Sequence, residues 1–216
     1  MSAALDHLVV AAPTLELGVQ WCEAMLGITP GAGGRHPLMG THNRLFNISS
    51  AAFPRAFFEI IAIDAAAPPP GRVRWFGLDA LDLRGGPRLL HWIARSSAIE
   101  AHRLALREAG LDIGPAITAS RDTPQGRLEW QITVPDDGRL LVGGAVPTLI
   151  DWGRMPHPTV AMPASGVALR ALTLRGLTPA AIRALGARGV GHAADAGPAI
   201  TATLDTPRGC VTLSSI

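Results

Sequence analysis

Apolar residues along the chain fall into short runs with two alternating periods. LDHLVV (5–10), LLHWIA (89–94) and LRALTLRG (169–176) are near-continuous apolar stretches of strand length. Each is followed by a segment with helical spacing: PTLELGVQWCEAMLG (13–27), SSAIEAHRLALREAG (96–110) and LTPAAIRALGARG (177–189). Each helical segment carries start and stop signals. Thr14 serves as N-cap before the first and Gly27 ends it. Ser97 and Glu100 have capping-box spacing at the second, which Gly110 closes. Thr178 with Pro179 opens the third, which Gly189 closes.

Alternating segments after each helix predict further strands, and these repeat. DTPQGRLEWQI (122–132) resembles DTPRGCVTL (205–213), and RLFNI (44–48) takes the place of RLEWQI (127–132). His7 to His91 is 84 residues, while Arg44 to Arg127 and Asp122 to Asp205 are each 83. Three matches at one spacing establish an internal repeat. Units one and two add a fourth strand, FFEIIAID (57–64) and VPTLIDW (146–152). The expected fold is α+β: paired βαβββ modules forming a cup-shaped mixed sheet, plus a C-terminal βαββ half-module. AAAPPPGRVRWFG (65–77) reads as the linker between the first two units and ASGV (164–167) as a weaker boundary before the third. The implied domains are 1–70, 71–163 and 164–216. A single-helix module cannot bury both faces of its sheet, so two sheets side by side enclose a cleft suited to a small molecule.

The repeat also duplicates polar residues in apolar surroundings. His7 and His91 sit at equivalent points of the first strands. Glu59 is the only charge between Phe57 and Ile63 and shares a face with Phe57 and Ile61. Aligning FFEI with LIDW places Asp151 opposite Glu59; Thr148 is the other residue that could occupy that position. A lone strand histidine is commonly structural, but a repeated His and acid pair points to a shared site. His7, Glu59, His91 and Asp151 suit a borderline divalent ion such as Zn, Ni, Fe, Mn or Co. A second constellation lies in GGRHPLMGTHNRLF (33–46). There Arg35, His36, His42 and Asn43 accompany three glycines that permit close backbone approach, a pattern suited to an anionic or carbonyl substrate. Trp92, beside His91, is a candidate cleft wall. His157 between prolines reads as a rigid loop residue, and His102 as an exposed helix residue.

Composition narrows the classes. With 48% hydrophobic residues and a formal charge of +2, the chain is globular. All 19 basic residues are arginine, and no basic run supports a nucleic-acid partner. No apolar stretch is long enough to predict a membrane span, and the N-terminus lacks a secretion signal. Two cysteines make no disulfide framework, so a cytoplasmic location is expected. Nucleotide loops, nucleophile elbows and C-x-x-C pairs are absent from the sequence. The exposed strand edge of the third unit leaves room for a homodimer.

Taken together, LDHLVVAAPTLELG, GGRHPLMGTHNRLF, FFEIIAID and LIDWGRMPHP resemble the glyoxalase-like domain family of the vicinal oxygen chelate superfamily, over about residues 4–160. The resemblance implies a cup around a divalent metal held by His7, Glu59, His91 and Asp151, the last standing where glutamate is more usual. It implies a metal-dependent lyase, isomerase or dioxygenase in which Glu59 or Asp151 acts as base. Its alternative is a metal-free small-molecule binder of the antibiotic-sequestering kind, with Arg35, His36, His42, Asn43 and Trp92 at the ligand.

Overall fold

A computed structural model describes residues 2–123 and 126–215. Pro124 and Gln125 of the repeated DTP motif lie outside the described residues. The first unit runs β1 (Ala4–Ala11), α1 (Leu15–Leu26), β2 (Arg35–His36), β3 (Thr41–Asn47) and β4 (Phe57–Ile63). The second runs β5 (Arg88–Arg95), α2 (Ile99–Glu108), β6 (Ala116–Thr123), β7 (Gly126–Thr133) and β8 (Thr148–Asp151). The third runs β9 (Ala168–Arg175), α3 (Pro179–Leu185), β10 (Gly191–Ala193), β11 (Ile200–Thr206) and β12 (Gly209–Ser214).

The first two units form one eight-stranded mixed sheet in the order β2-β3-β4-β1-β5-β8-β7-β6. Within each unit the first and last strands pair in parallel, and antiparallel β1 and β5 weld the halves together. The sheet curls until its edges approach, where Arg121 Nη1 on β6 donates to Asn43 Oδ1 on β3 at 3.3 Å. This is the expected paired-module cup.

Strand alternation sorts the side chains into two cores. Leu8, Val10, Phe58, Ile60, Trp92 and Ala94 face outward. They pack against Cys22 and Leu26 of α1, Leu106 of α2, and Leu172, Ile200 and Leu204 of the second sheet. Val9, Ile61, Ile93, Trp130, Ile132 and Ile150 face into the cup. The third unit therefore covers the outer face. Its sheet has the order β10-β9-β11-β12. With no fourth strand to lie beside β9, β11 pairs with it directly in antiparallel fashion.

Local signals held at two helices and failed in part at two. Thr14 Oγ1 accepts from Leu17 N at 3.2 Å, and Gly27 adopts φ 74°, where a side chain would be strained. Thr178 caps α3 as expected, but Gly186, not Gly189, ends it with φ 52°. Ser97 and Glu100 form no capping box: α2 has Ala98 as N-cap, without a side-chain cap. Ser96 Oγ, one residue earlier, accepts from Ala98 N and meets His102 Nδ1 at 2.9 Å. That bond draws His102 into complete burial, contrary to the exposed position expected for it. The proline-rich linker does more than connect: it ends in a 3-10 turn, Trp75–Ala80, whose Trp75, Phe76 and Leu78 fill one end of the cup. No helix among the described residues is long and apolar enough to cross a membrane.

Candidate functional site

Alternation on β1 and β4 turns His7, Val9, Phe57, Glu59 and Ile61 toward the cup. Parallel pairing aligns His7 with Phe57 and Val9 with Glu59. His7 Nε2 then lies 3.5 Å from Glu59 Oε2. On its other side His7 Nδ1 donates to Asp6 Oδ1 at 2.7 Å. Asp6 is wholly buried. Its second oxygen accepts from Trp152 Nε1 at 2.9 Å and from His157 Nε2 at 3.0 Å. His157 Nδ1 accepts from Thr159 N at 3.3 Å, which leaves the proton on Nε2 for Asp6.

A second chain leaves Glu59 in the opposite direction. Asn43 Nδ2 donates to Glu59 Oε1 at 2.6 Å and to His36 Nε2 at 3.2 Å. His36 Nδ1 donates to Thr41 Oγ1 at 2.9 Å. Asn43 Oδ1 accepts from Gly34 N at 2.8 Å as well as from Arg121. The glycines explain the fit: a Cβ at Gly33 would overlap the Asn43 carbonyl, and one at Gly34 would crowd the Arg121 guanidinium. These groups line a small cavity of about 40 Å³ walled by Phe57, Trp75, Phe76, Trp130 and Trp152.

Charge in this site is set by the competition between burial and partners. Burial disfavours a charged His7, but hydrogen bonds and charges of Asp6 and Glu59 outweigh it and lift the imidazole pKa to about 9. Burial opposes charge on Glu59 and Asp6 too. His7 overcomes it at Glu59, aided by His36 and Asn43, and His157 with His7 overcomes it at Asp6; both carboxyls fall below their usual range. His36 has no carboxylate in contact, so burial dominates and lowers it to about 4. At neutral pH the site is an imidazolium held between two carboxylates, beside a neutral imidazole.

These shifts fix the pH dependence of stability. The raised pKa of His7 contributes stability that is complete below pH 6.5 and lost as pH rises toward 9. The lowered pKa values of His36 and His91 work on the acid side. Below pH 6.5 the unfolded chain takes up protons that the folded histidines refuse, until pH 4 to 3. Unfolding free energy from urea titrations is therefore expected to peak at roughly pH 6.5–7 and fall on both sides. A flat profile between pH 7 and 9 would show that His7 does not carry the charge.

The structure divides the residues expected at this site. It brings His7, Glu59, His36 and Asn43 together around one cavity. It leaves the other five elsewhere. Trp92 projects to the outer face, fully buried, with Nε1 donating to Ala145 O at 2.9 Å. Adjacent residues of a strand point oppositely, so Trp92 cannot share the inward face of His91. Arg35 is exposed and pairs with Asp64 at 3.3 Å. His42 lies on the face of β3 opposite Asn43 and does not line the cavity. Asp151 Oδ1 accepts from Gly153 N at 2.8 Å and stands on the far side of β8 from Ile150 and Trp152, which do line it. His91 faces inward but is sealed. Its Nδ1 donates to Gly144 O at 3.0 Å, its Nε2 accepts from Thr148 N at 3.0 Å, and the Phe76 ring lies 5.4 Å from it. Burial, the largest influence, lowers its pKa to about 3.

Register explains the asymmetry. Glu59 pairs with Val9, two residues after His7. In the second half Thr148 pairs with Ile93, two residues after His91. Thr148, not Asp151, is thus the counterpart of Glu59, and the His91 to Thr148 contact of 3.1 Å mirrors His7 to Glu59. The four expected metal ligands do not converge. Among the described residues no group of three or more His, Cys, Asp or Glu side chains could hold a metal ion. Both His7 nitrogens carry protons toward carboxylates, so the donors present do not fit the divalent ion that the resemblance implies. Asp6, Arg121, His157, Trp75, Trp130 and Trp152 join the site without having been expected there. The apolar runs flanking Asp6 were a signal for its burial, but nothing local marked Arg121 or His157.

The expected family is matched directly: a model of the glyoxalase-like domain fits residues 5–189. No curated protein matches the chain. Among solved structures, a hypothetical protein from Staphylococcus aureus aligns with a TM-score of 0.55 at 17% identity, over 80% of this chain and 69% of the other. Methylmalonyl-CoA epimerase from Mycobacterium tuberculosis aligns at 0.42 and 20% identity, over 73% and 90%. A methylmalonyl-CoA epimerase in complex with methylmalonyl-CoA and NH4+ aligns at 0.46 and 13%, over 73% and 100%. Identities this low show a shared fold alone.

Proposed function

The chain belongs to the glyoxalase-like domain family, and from that premise we propose that its cup binds a small oxygenated anion and exchanges a proton with it through Glu59 and His7. The observation that carries this reading is the buried Asp6–His7–Glu59 chain, which opens on the same small cavity as Arg121. Arg121 supplies a cation for the anionic group; its partly buried guanidinium is less screened there than at the surface.

Glu59 is the base. Its pairing with His7 lowers its basicity, and that pairing is what a ligand would change. A carbonyl oxygen accepting the Nε2 proton of His7 draws the imidazolium away from Glu59 and restores the carboxylate as a proton acceptor. The proton moves from the carbon beside the carbonyl to a Glu59 oxygen, and the electron pair moves to the carbonyl oxygen. That oxyanion is met by His7 and Arg121 in a largely apolar, aromatic pocket. Return of the proton completes an isomerisation. No step passes through a metal, because the donors do not fit one. Binding without turnover is the second reading, favoured by the preformed ion pair that already satisfies Glu59.

Trp75, Trp130 and Trp152 report on the cavity, so binding is measurable by tryptophan fluorescence. Small 2-oxo and 2-hydroxy acids are expected to bind at least tenfold more tightly than their neutral amides. Equal affinities would remove Arg121 as the anchor. In the same samples, metal content by mass spectrometry is expected to stay far below one ion per chain after exposure to Zn, Ni, Mn, Co or Fe(II) and dialysis. Close to one ion per chain, lost in His7→Ala, would overturn the metal-free reading.

A further inference from the structure

The small cavity at the dyad is not the largest space in the protein. A groove of about 780 Å³ adjoins it, and the two share Leu45, Arg121 and Pro158 as walls. A space of 40 Å³ admits a head group, whereas 780 Å³ is the size that holds a whole drug-sized ligand. One side of the groove is the segment after β8, including Met155, Val160 and Met162; Phe46 and Leu128 lie among the strands. Val160 is 75% exposed, the most open large apolar side chain among the described residues. The groove's charges are of one sign: Arg121 and Arg127 line it, and no carboxylate does among the described residues. Arg127 is steered by a 2.8 Å bond from Nη2 to Ser120 Oγ.

We infer that the ligand is an amphipathic 2-oxo or 2-hydroxy carboxylic acid, with its acid end at Arg121 and an aliphatic or aromatic tail along Val160 and Met162. This rests on the proton-exchange reading for the position of the acid end. The tail follows from the shape and lining of the groove. A short polar acid would leave the apolar wall exposed to water, and a polyanion would set charge against Met155, Val160 and Met162. An apolar cation would face two guanidinium groups with no counter-charge.

The test is fluorescence titration of the full chain with straight-chain 2-oxo acids of four, six and eight carbons, and with the amide of each. Burial of each added methylene in the groove should tighten binding by about threefold to fourfold. The eight-carbon acid is therefore expected to bind more than tenfold more tightly than the four-carbon acid. Val160→Glu, at an exposed position remote from the dyad, should abolish most of that gain and leave four-carbon binding unchanged. Affinity independent of length, with the four-carbon acid still bound, would overturn the tail assignment and spare the acid site. Absence of binding by every acid would overturn the proton-exchange reading and this inference with it. An eight-carbon gain that survives Val160→Glu undiminished would place the tail elsewhere and also overturn the assignment.

Discussion

Asp6→Ala is expected to destabilise the protein by about 3–5 kcal/mol, the range for breaking a buried charge pair. Asp6 is fully buried and accepts from three side chains on separate segments: His7, Trp152 and His157. Its removal strands the Nδ1 proton of His7 and leaves the Trp152 indole and His157 imidazole without an acceptor. Each orphaned donor carries a desolvation penalty, and the lost side chain adds a void. For a chain of this size the loss corresponds to a melting temperature lower by on the order of 10 °C. Asp6→Asn keeps the shape but presents an amide donor to one of three donors, so it should recover only part of the loss. Urea unfolding of the three proteins at pH 7 decides the matter. A cost below about 1 kcal/mol for Asp6→Ala would mean that the hub is not a desolvated charge centre.

Glu59→Gln is expected to remove proton exchange while retaining ligand binding. The amide keeps the shape of the side chain and can still accept from Asn43, but it cannot take a proton at neutral pH. The readout is loss of the carbon-bound proton beside the carbonyl of a bound 2-oxo acid in D2O, followed by NMR. Removing a positioned base typically slows such a step by about 10²–10⁴-fold. Affinity, set mainly by Arg121 and the aromatic walls, should change far less. Exchange at the wild-type rate in the variant would exclude Glu59 as the base. Wild-type protein that binds acids without exchanging their protons would establish the binding-only reading. The pairing of Glu59 with His7 also predicts that exchange, where present, falls as pH rises past about 9 and His7 loses its charge.

Much of this architecture is local in origin and was legible along the chain. Periodicity separated strands from helices, and the repeat at 83 and 84 residues counted the units. Strand alternation placed Phe57, Glu59 and Ile61 on one face, because side-chain direction in a strand depends only on position along it. The same rule, applied to neighbours, separates inward His91 from outward Trp92. Glycine density at 33–46 marked a close approach, realised where Gly33 and Gly34 admit Asn43 and Arg121. Two of the four residues expected to hold a metal, His7 and Glu59, do meet in the cup.

What the chain alone left open depends on how strands are set against each other. In VPTLIDW either Thr148 or Asp151 could stand opposite Glu59, and the choice rests on pairing with β5, 55 residues away between Ile93 and Thr148. Hydrophobic pattern does not encode that register when a strand is apolar on both faces. Asp6 and His157 are 151 residues apart, and Arg121 and Asn43 are 78 apart. Such contacts arise only once the sheet has curled and its edges meet. The sequence therefore determined the modules, their number and the inward face of each strand. The tertiary structure decided which inward groups touch, and so turned an expected symmetric quartet into one charged dyad at His7 and Glu59 and one sealed neutral pair at His91 and Thr148.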